Sequence, residues 1–342
     1  KSDDIVILYV GRLSAHAKAN PFSMYKVLEK VAEISNKKIT LMECGWFGNE
    51  EIKDSFIQAA NYLCPNVRVI QLDGRKSNLK YKSFAASDIF CSLVDNIQET
   101  FGITPIEAMA SGLPVIVSDW DGYKETVRDG IDGFRIPTLM PEPGDGIDLS
   151  ARYALNIDNY DRYIGNVSNY VSINFECLTN TFMQLINNAG LRIKMGQNAR
   201  KRALENYDWS TIIPKYEFLW NELNLLRVNS DKCKWNNMLD PFFAFSSYPT
   251  NLLSDEYKVR LVESNMDLTI KKMGEVKKLK IVNYSGYTFP DDNIIIAIIS
   301  KLDKIKSIHA LKEELQGFNA KYLNRTLCWL NKFNIIHIEF SN

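Results

Sequence analysis

Two acids and two bases, far apart in the chain, carry the first chemical signal. Glu99 and Glu107 flank the turn-like Phe101-Gly102-Ile103-Thr104, while Arg12 and Lys18 follow the first apolar run. An arginine offers a fork of donors and a lysine a point charge, so the basic pair suits a diphosphate. Thr104 and Pro105 read as an N-cap and a first helical residue, and Glu107, three residues after the cap, completes a capping box. Gly112 and Pro114 then end a helix of about two turns. Its N-terminus would present free N–H groups and roughly half a positive charge to an anion. Gly102, just before it, lets the backbone approach a ligand closely. Glu107 therefore reads two ways, as a helix cap or as a ligand-facing acid. Arg12 and Lys18 read either as solvated loop residues or as an anion clamp, and His16 between them as a structural loop histidine or a phosphate or sugar contact.

Position decides between these readings. Residues 5–10, 39–43, 67–70, 89–93 and 115–118 are short aliphatic runs of the kind that form buried parallel strands. Helical patterns lie between them: one opens at Asn20-Pro21 and runs to about Ile34, and others fall at about 51–63, 79–86 and 105–111. Such alternation predicts an α/β fold with a doubly wound, parallel, Rossmann-like sheet. Ligands of these sheets sit beyond the carboxyl ends of the strands. Arg12, Lys18, Glu99 and the Gly102 turn all fall there, which favours the chemical readings.

Residues 138–174 look loop-like, with Pro141, Pro143, Gly144 and Gly146 close together. Helical patterns resume at about 175–188, 190–205 and 211–227. The organisation expected is a nucleotide-binding domain over 1–227 and a smaller, mainly α-helical extension over 228–342. Within the extension, 290–342 reads as winged-helix-like: an apolar helix from Asp291, then a helix bearing Leu323, Leu327 and Leu330, then a strand at 335–340.

Bulk properties exclude several classes. The 342 residues hold 41 Lys+Arg and 41 Asp+Glu, so no net field points to nucleic acid or a membrane. No apolar run is long enough to span a bilayer, and no signal peptide is evident. Cys44, Cys64, Cys91, Cys177, Cys233 and Cys328 are scattered without a Cys-x-x-Cys pair, which argues against a zinc site or a disulfide scaffold. No aspartate-rich metal motif stands out, and Asp119-Trp120-Asp121 reads as a strand-end turn. The Lys271–Lys280 stretch reads as a solvated face or as a contact to a membrane surface. The chain starts at Lys1, directly before a strand pattern, as a piece cut from something longer would.

Four segments together resemble a known family: Gly11-Arg12-Leu13 with Lys18, Ser87-Asp88-Ile89-Phe90, Glu99 to Glu107, and Ala110-Ser111-Gly112-Leu113-Pro114-Val115. In this order they look like the carboxy-terminal domain of the GT-B-fold retaining glycosyltransferases of family 4, over about residues 5–225. Lys18 lies one residue further from Arg12 than that pattern leads one to expect. The resemblance implies that Gly11 borders a nucleotide-diphosphate sugar donor and that Arg12 and Lys18 hold its diphosphate. Glu107 would take the ribose hydroxyls, and Phe101, Gly102, Ile103 and Thr104 would touch the sugar and phosphate. Leu72, Gly74 and Arg75 would line the base. Glu99 would face the sugar hydroxyls and contribute to catalysis. It implies no metal and no cofactor beyond the donor substrate. The acceptor would be a glycan or a lipid-linked sugar in surface polysaccharide or glycolipid synthesis, at a cytoplasmic site or peripherally on the inner membrane face. A second Rossmann-like domain is expected upstream, with 207–226 crossing back to it. The alternative is a nucleotide-sugar-binding regulatory module whose winged-helix-like part contacts a partner, with protein favoured over nucleic acid; a phosphorylase or epimerase of the same architecture ranks lower.

Overall fold

A computed structural model describes residues 4–229 and 239–340, so Cys233 lies outside the described residues. Strands β1 (Ile5–Leu13), β2 (Ile39–Phe47), β3 (Arg68–Asp73), β4 (Ile89–Ser92), β5 (Val115–Ser118) and β6 (Gly133–Ile136) form one sheet. Its order is β3-β2-β1-β4-β5-β6, with every pairing parallel. This is the doubly wound Rossmann-like order, whose direction reverses between β1 and β4. The first helices are α1 (Phe22–Ser35), α2 (Glu50–Leu63), α3 (Ser77–Ala85) and α4 (Ile103–Ala110). The sheet supplies the core: Ile7, Leu8, Leu41, Ile89, Phe90, Val115, Ile116 and Val117 have no exposed surface.

The strands run further than their aliphatic cores suggest. β1 continues through Gly11-Arg12-Leu13, in register with Gly45-Trp46-Phe47 of β2, so Gly11 and Arg12 are strand residues rather than loop residues. Leu72 likewise belongs to β3. The extra pairing is possible because Gly45 lies against Gly11: a Cβ there would stand 1.9 Å from the Gly11 carbonyl oxygen. Side-chain hydrophobicity cannot reveal this, because the backbones make the contact.

Helix α4 starts at Ile103, with Gly102 as its N-cap and no side-chain cap. The capping box expected of Thr104 and Glu107 is therefore absent. Gly102 sits at φ 70°, which glycine adopts freely, and a Cβ there would strike the Tyr123 ring. The cap position went to the residue able to take that backbone angle.

After α5 (Tyr123–Thr126), the stretch that looked loop-like holds β7 (Thr138–Met140), α6 (Ile147–Ala154), α7 (Tyr160–Ser168) and β8 (Ser172–Ile173). Its proline and glycine cluster bridges β7 and α6. Helices α8 (Phe175–Asn187), α9 (Ala189–Tyr207) and α10 (Trp209–Asn229) follow, and α10 buries none of its residues. Beyond it come α11 (Pro241–Ala244), β9 (Asn251–Leu252), β10 (Lys258–Leu261), α12 (Met266–Lys278), α13 (Asp292–Lys301), β11 (Lys306–Ser307), α14 (Ile308–Glu314), α15 (Ala320–Lys332) and β12 (Ile336–Glu339). A three-stranded sheet orders β11-β10-β12 with antiparallel pairings, and β9 joins β7 and β8 in another.

Helix α15 presses into the first part of the chain. Asn324 donates to Asp145 at 3.0 Å, Arg325 to both oxygens of Asp148 at 2.9 Å, and Asn331 to Ser172 at 2.8 Å. Lys332 forms a buried ion pair with Asp95, just past β4, and also donates to the Ser168 carbonyl. Burial pushes the Asp95 carboxyl up and the Lys332 ammonium down, and each partner's charge opposes that shift. Among the described residues no helix is long and apolar enough to cross a membrane.

Two substitutions test this framework. Lys332→Met strands the Asp95 carboxyl without its cation, and urea unfolding should show a loss of about 3–5 kcal/mol. A loss under about 1 kcal/mol would show that the pair is not a strut. Gly45→Ala forces β1 and β2 apart at their carboxyl ends and should cost about 1–3 kcal/mol by the same measurement; an unchanged midpoint would contradict the close contact.

Candidate active site

A cleft of about 500 Å³ opens at the carboxyl ends of β1 and β2 and beside α3 and α4. It lies beside the point where strand order reverses, the usual ligand crevice of such sheets. Gly11, Arg12, Lys18, Gly74 and Thr104 line it, as the sequence led one to expect. Gly45, Trp46, Lys80 and Gln98 line it too, and no motif singles them out. Trp46 had a signal of a kind: it is a large aromatic, 42% exposed, at the carboxyl end of a strand.

Arg12 extends from β1 and donates to the Ala17 carbonyl at 3.0 Å, which fixes the turn carrying Lys18. Gln98 donates to the same carbonyl from the other side of the reversal point. Lys18 pairs with Glu99, so two residues 81 positions apart meet across the gap between β1 and β4. Burial, and secondly the Arg12 guanidinium, push the Lys18 ammonium down to about 8.

A second pair lies beside α4. Lys80 of α3 donates to Glu107 Oε1 at 2.7 Å, while Glu107 Oε2 is buried without a hydrogen-bond partner among the described residues. Lys80 was missed because it is one of three lysines around α3, with Lys76 and Lys82, and only the helix phase distinguishes it. Buried acceptors in native folds are rarely left unpaired, so the orphan oxygen marks a place for a donor group.

The remaining expected residues lie around this cleft. Arg75 turns back onto Asp73 at 2.9 and 3.1 Å and is largely exposed, while Leu72 is half-buried on β3. Phe101 and Ile103 are exposed, and the Phe101 ring meets Tyr207 edge-on at 6.2 Å. Gly102 brings the start of α4 to the edge of the site. His16 instead lines a separate cavity, and burial holds its pKa below the usual histidine value. Asp88 has a structural role: its carboxylate accepts the Val6 N–H at 2.9 Å, tying β4 to β1. Among the described residues, no cluster of three or more His, Cys, Asp or Glu could hold a metal.

The cleft thus gathers three cations, two carboxylates tied to two of them, and a helix N-terminus. That set can neutralise a dianion and accept hydrogen bonds from hydroxyls.

The chain is similar in sequence to proteins named as glycosyltransferases. An uncharacterised glycosyltransferase of Methanocaldococcus jannaschii is 25% identical over 166 residues, 48% of this chain and 40% of the relative. A D-inositol 3-phosphate glycosyltransferase of Corynebacterium efficiens is 23% identical over 218 residues, 64% of this chain and 42% of the relative. This chain thus spans about two fifths of the length of each. Among solved structures, Anabaena HepE in complex with UDP-glucose aligns with a TM-score of 0.43 at 18% identity, covering 64% of this chain and 49% of that one. Residues 1–142 match the model of the family described as Glycosyl transferases group 1.

Proposed function

We propose that this chain is the donor-binding part of a retaining glycosyltransferase that uses a nucleotide-diphosphate sugar. One observation carries the reading: Arg12, Lys18 and Lys80 converge on one cleft at the carboxyl edge of the sheet, where Glu99 and Glu107 pair with the two lysines. Arg12, Lys18 and Lys80 neutralise the diphosphate together with the α4 N-terminus, while Glu107 takes the ribose hydroxyls. Leu72, Gly74 and Arg75 border the base, with Trp46 beside them as an aromatic surface. Phe101 to Thr104 contact sugar and phosphate, and Glu99, released from Lys18 as phosphate replaces it, orients the sugar hydroxyls. As the bond from the sugar to the diphosphate breaks, negative charge grows on the leaving group, and fixed cations and the helix dipole stabilise it there. The acceptor is a glycan or lipid-linked sugar of a surface polysaccharide or glycolipid, reached from the cytoplasm or the inner membrane face. No cofactor is needed beyond the donor.

Helix α10 supports the further proposal that an upstream domain completes the cleft. It exposes Trp209, Phe218, Trp220 and Leu226 by more than 60% each, a surface that a facing domain would cover. The order α13, β11, α14, α15, β12 is compatible with the winged-helix-like reading of the extension, with β10 pairing between β11 and β12. Helix α15 buries ten of its residues, and Asn324, Arg325, Asn331 and Lys332 among them bond to the first part of the chain. A helix so placed cannot enter a DNA groove, so this unit serves as an internal buttress or protein contact.

Calorimetry with UDP and GDP tests the donor reading. One of them should bind, and Glu107→Ala should weaken it at least tenfold, about 1.4 kcal/mol; no binding, or no effect, would sink the assignment. The pH profile is a second check. Lys18 is charged below about 8 and neutral above it. Nucleotide affinity should therefore fall up to about tenfold between about pH 7 and about pH 9 in the wild type, and stay level over that range in Lys18→Arg.

A further inference from the structure

Beside the cationic cleft lies a second cavity of about 630 Å³, within the range of about 300–1,000 Å³ typical of small-ligand sites. Ala15 and His16, on the turn between Arg12 and Lys18, form one wall. Residues 49–55 form another, just past the β2 end that supplies Trp46 to the cleft. The same two connections therefore separate the cavities, one facing each side. The far walls come from α7 and from residues 280–285 of the carboxy-terminal extension.

These walls are tied together. Tyr284 donates to the Gly165 carbonyl at 3.0 Å, and Ser285 to Asn166 at 2.6 Å. Asn166 in turn donates to Asp158 at 3.1 Å. Helix α7 packs so closely on the β1 turn that a Cβ on Gly165 would stand 3.0 Å from the His16 Cβ. The His16 and Tyr284 rings meet at 5.8 Å across the junction. The cavity is therefore preformed by contacts that the extension itself makes.

Its chemistry differs from that of the cleft. Two acids, Glu51 and Asp161, balance two bases, Arg162 and Lys280, and Glu51 and Lys280 pair at 3.3 Å. Burial favours the neutral form of His16. Asn49 and Asn159 use their side-chain oxygens to cap α2 and α7, leaving each NH₂ group to donate elsewhere. A wall without net charge, rich in amides and hydroxyls and bearing a tyrosine ring, suits a neutral polyhydroxyl ligand rather than an anion. We propose that this cavity binds the neutral saccharide end of the acceptor, held beside the donor cleft by walls that the carboxy-terminal extension completes. This rests on the donor reading above for the identity of the reaction, although the cavity can be tested without it.

Calorimetry on this chain with UDP and with the neutral trisaccharides maltotriose, cellotriose and chitotriose separates the two ideas. At least one trisaccharide should bind. Asp161→Trp, an exposed position at the mouth, should weaken it at least tenfold and leave UDP binding unchanged; Asn283→Trp should do the same. Glu107→Ala should give the reverse pattern. If UDP binds and no trisaccharide does, the proposal falls. It falls equally if a trisaccharide binds and neither tryptophan variant weakens it. Trisaccharide binding lost in both variants, with no UDP binding in any protein, would keep the cavity as a saccharide site and remove the donor reading.

Discussion

The buried contact between Lys332 and Asp95 joins the last helix of the described chain to the segment that carries the chemistry. Asp95 follows β4, and four residues later the same segment presents Glu99 to Lys18. Asp95 also accepts the Asn20 N–H at the entry to α1, so one carboxylate holds both sides of the strand-order reversal. A charge pair taken out of water stabilises a fold only when its remaining valences are filled. Lys332 meets that condition with the Ser168 carbonyl, and Asp95 with Asn20. The extension is thus fastened to the edge of the sheet where ligands bind.

The fold was legible because its strands are apolar and its helices are periodic. The five strand cores lie where aliphatic runs placed them, and their parallel pairing follows from strand–helix alternation. The sixth strand, Gly133–Ile136, was not anticipated: it is four residues long, contains a glycine and an arginine, and carries no run to detect. Residues 138–174 misled for a related reason. Pro141, Pro143, Gly144 and Gly146 sit together and dominate any reading of composition, yet they occupy only the connection between β7 and α6. The helices beyond, Ile147–Ala154 and Tyr160–Ser168, are short, and contacts with later parts of the chain hold them in place.

Site residues divide along the same line. Arg12, Lys18, Glu99 and Glu107 could be picked out because their types are chemically loaded and they follow strands or open a helix. Their mutual pairing could not, since Lys18 reaches Glu99, and Lys80 reaches Glu107, through tertiary structure alone. Gly45 was invisible for another reason: its role is to lack a side chain where two backbones touch. The expected capping box failed because a capping motif competes with whatever backbone angle the preceding turn imposes. Here Gly102 takes the positive φ, and Glu107 is freed to face Lys80.

That freedom bears on how the cleft manages its charge. Three cations close together repel one another, and burial together with the Arg12 guanidinium pushes the Lys18 ammonium down. Pairing Lys18 with Glu99 and Lys80 with Glu107 sets a carboxylate against each ammonium group and orients both. Under the proposed donor role, a diphosphate entering such a site would replace one anion by another instead of neutralising bare cations, trading affinity for selectivity. The ligand must supply two charges at the right spacing and hydroxyls for the carboxylates it displaces. A simple anion such as phosphate offers the charge without the hydroxyls and leaves Glu99 and Glu107 unpaired, which is costly in a partly buried site. On the proposed reading, the same acids that compete with the diphosphate would discriminate in favour of a sugar and a ribose.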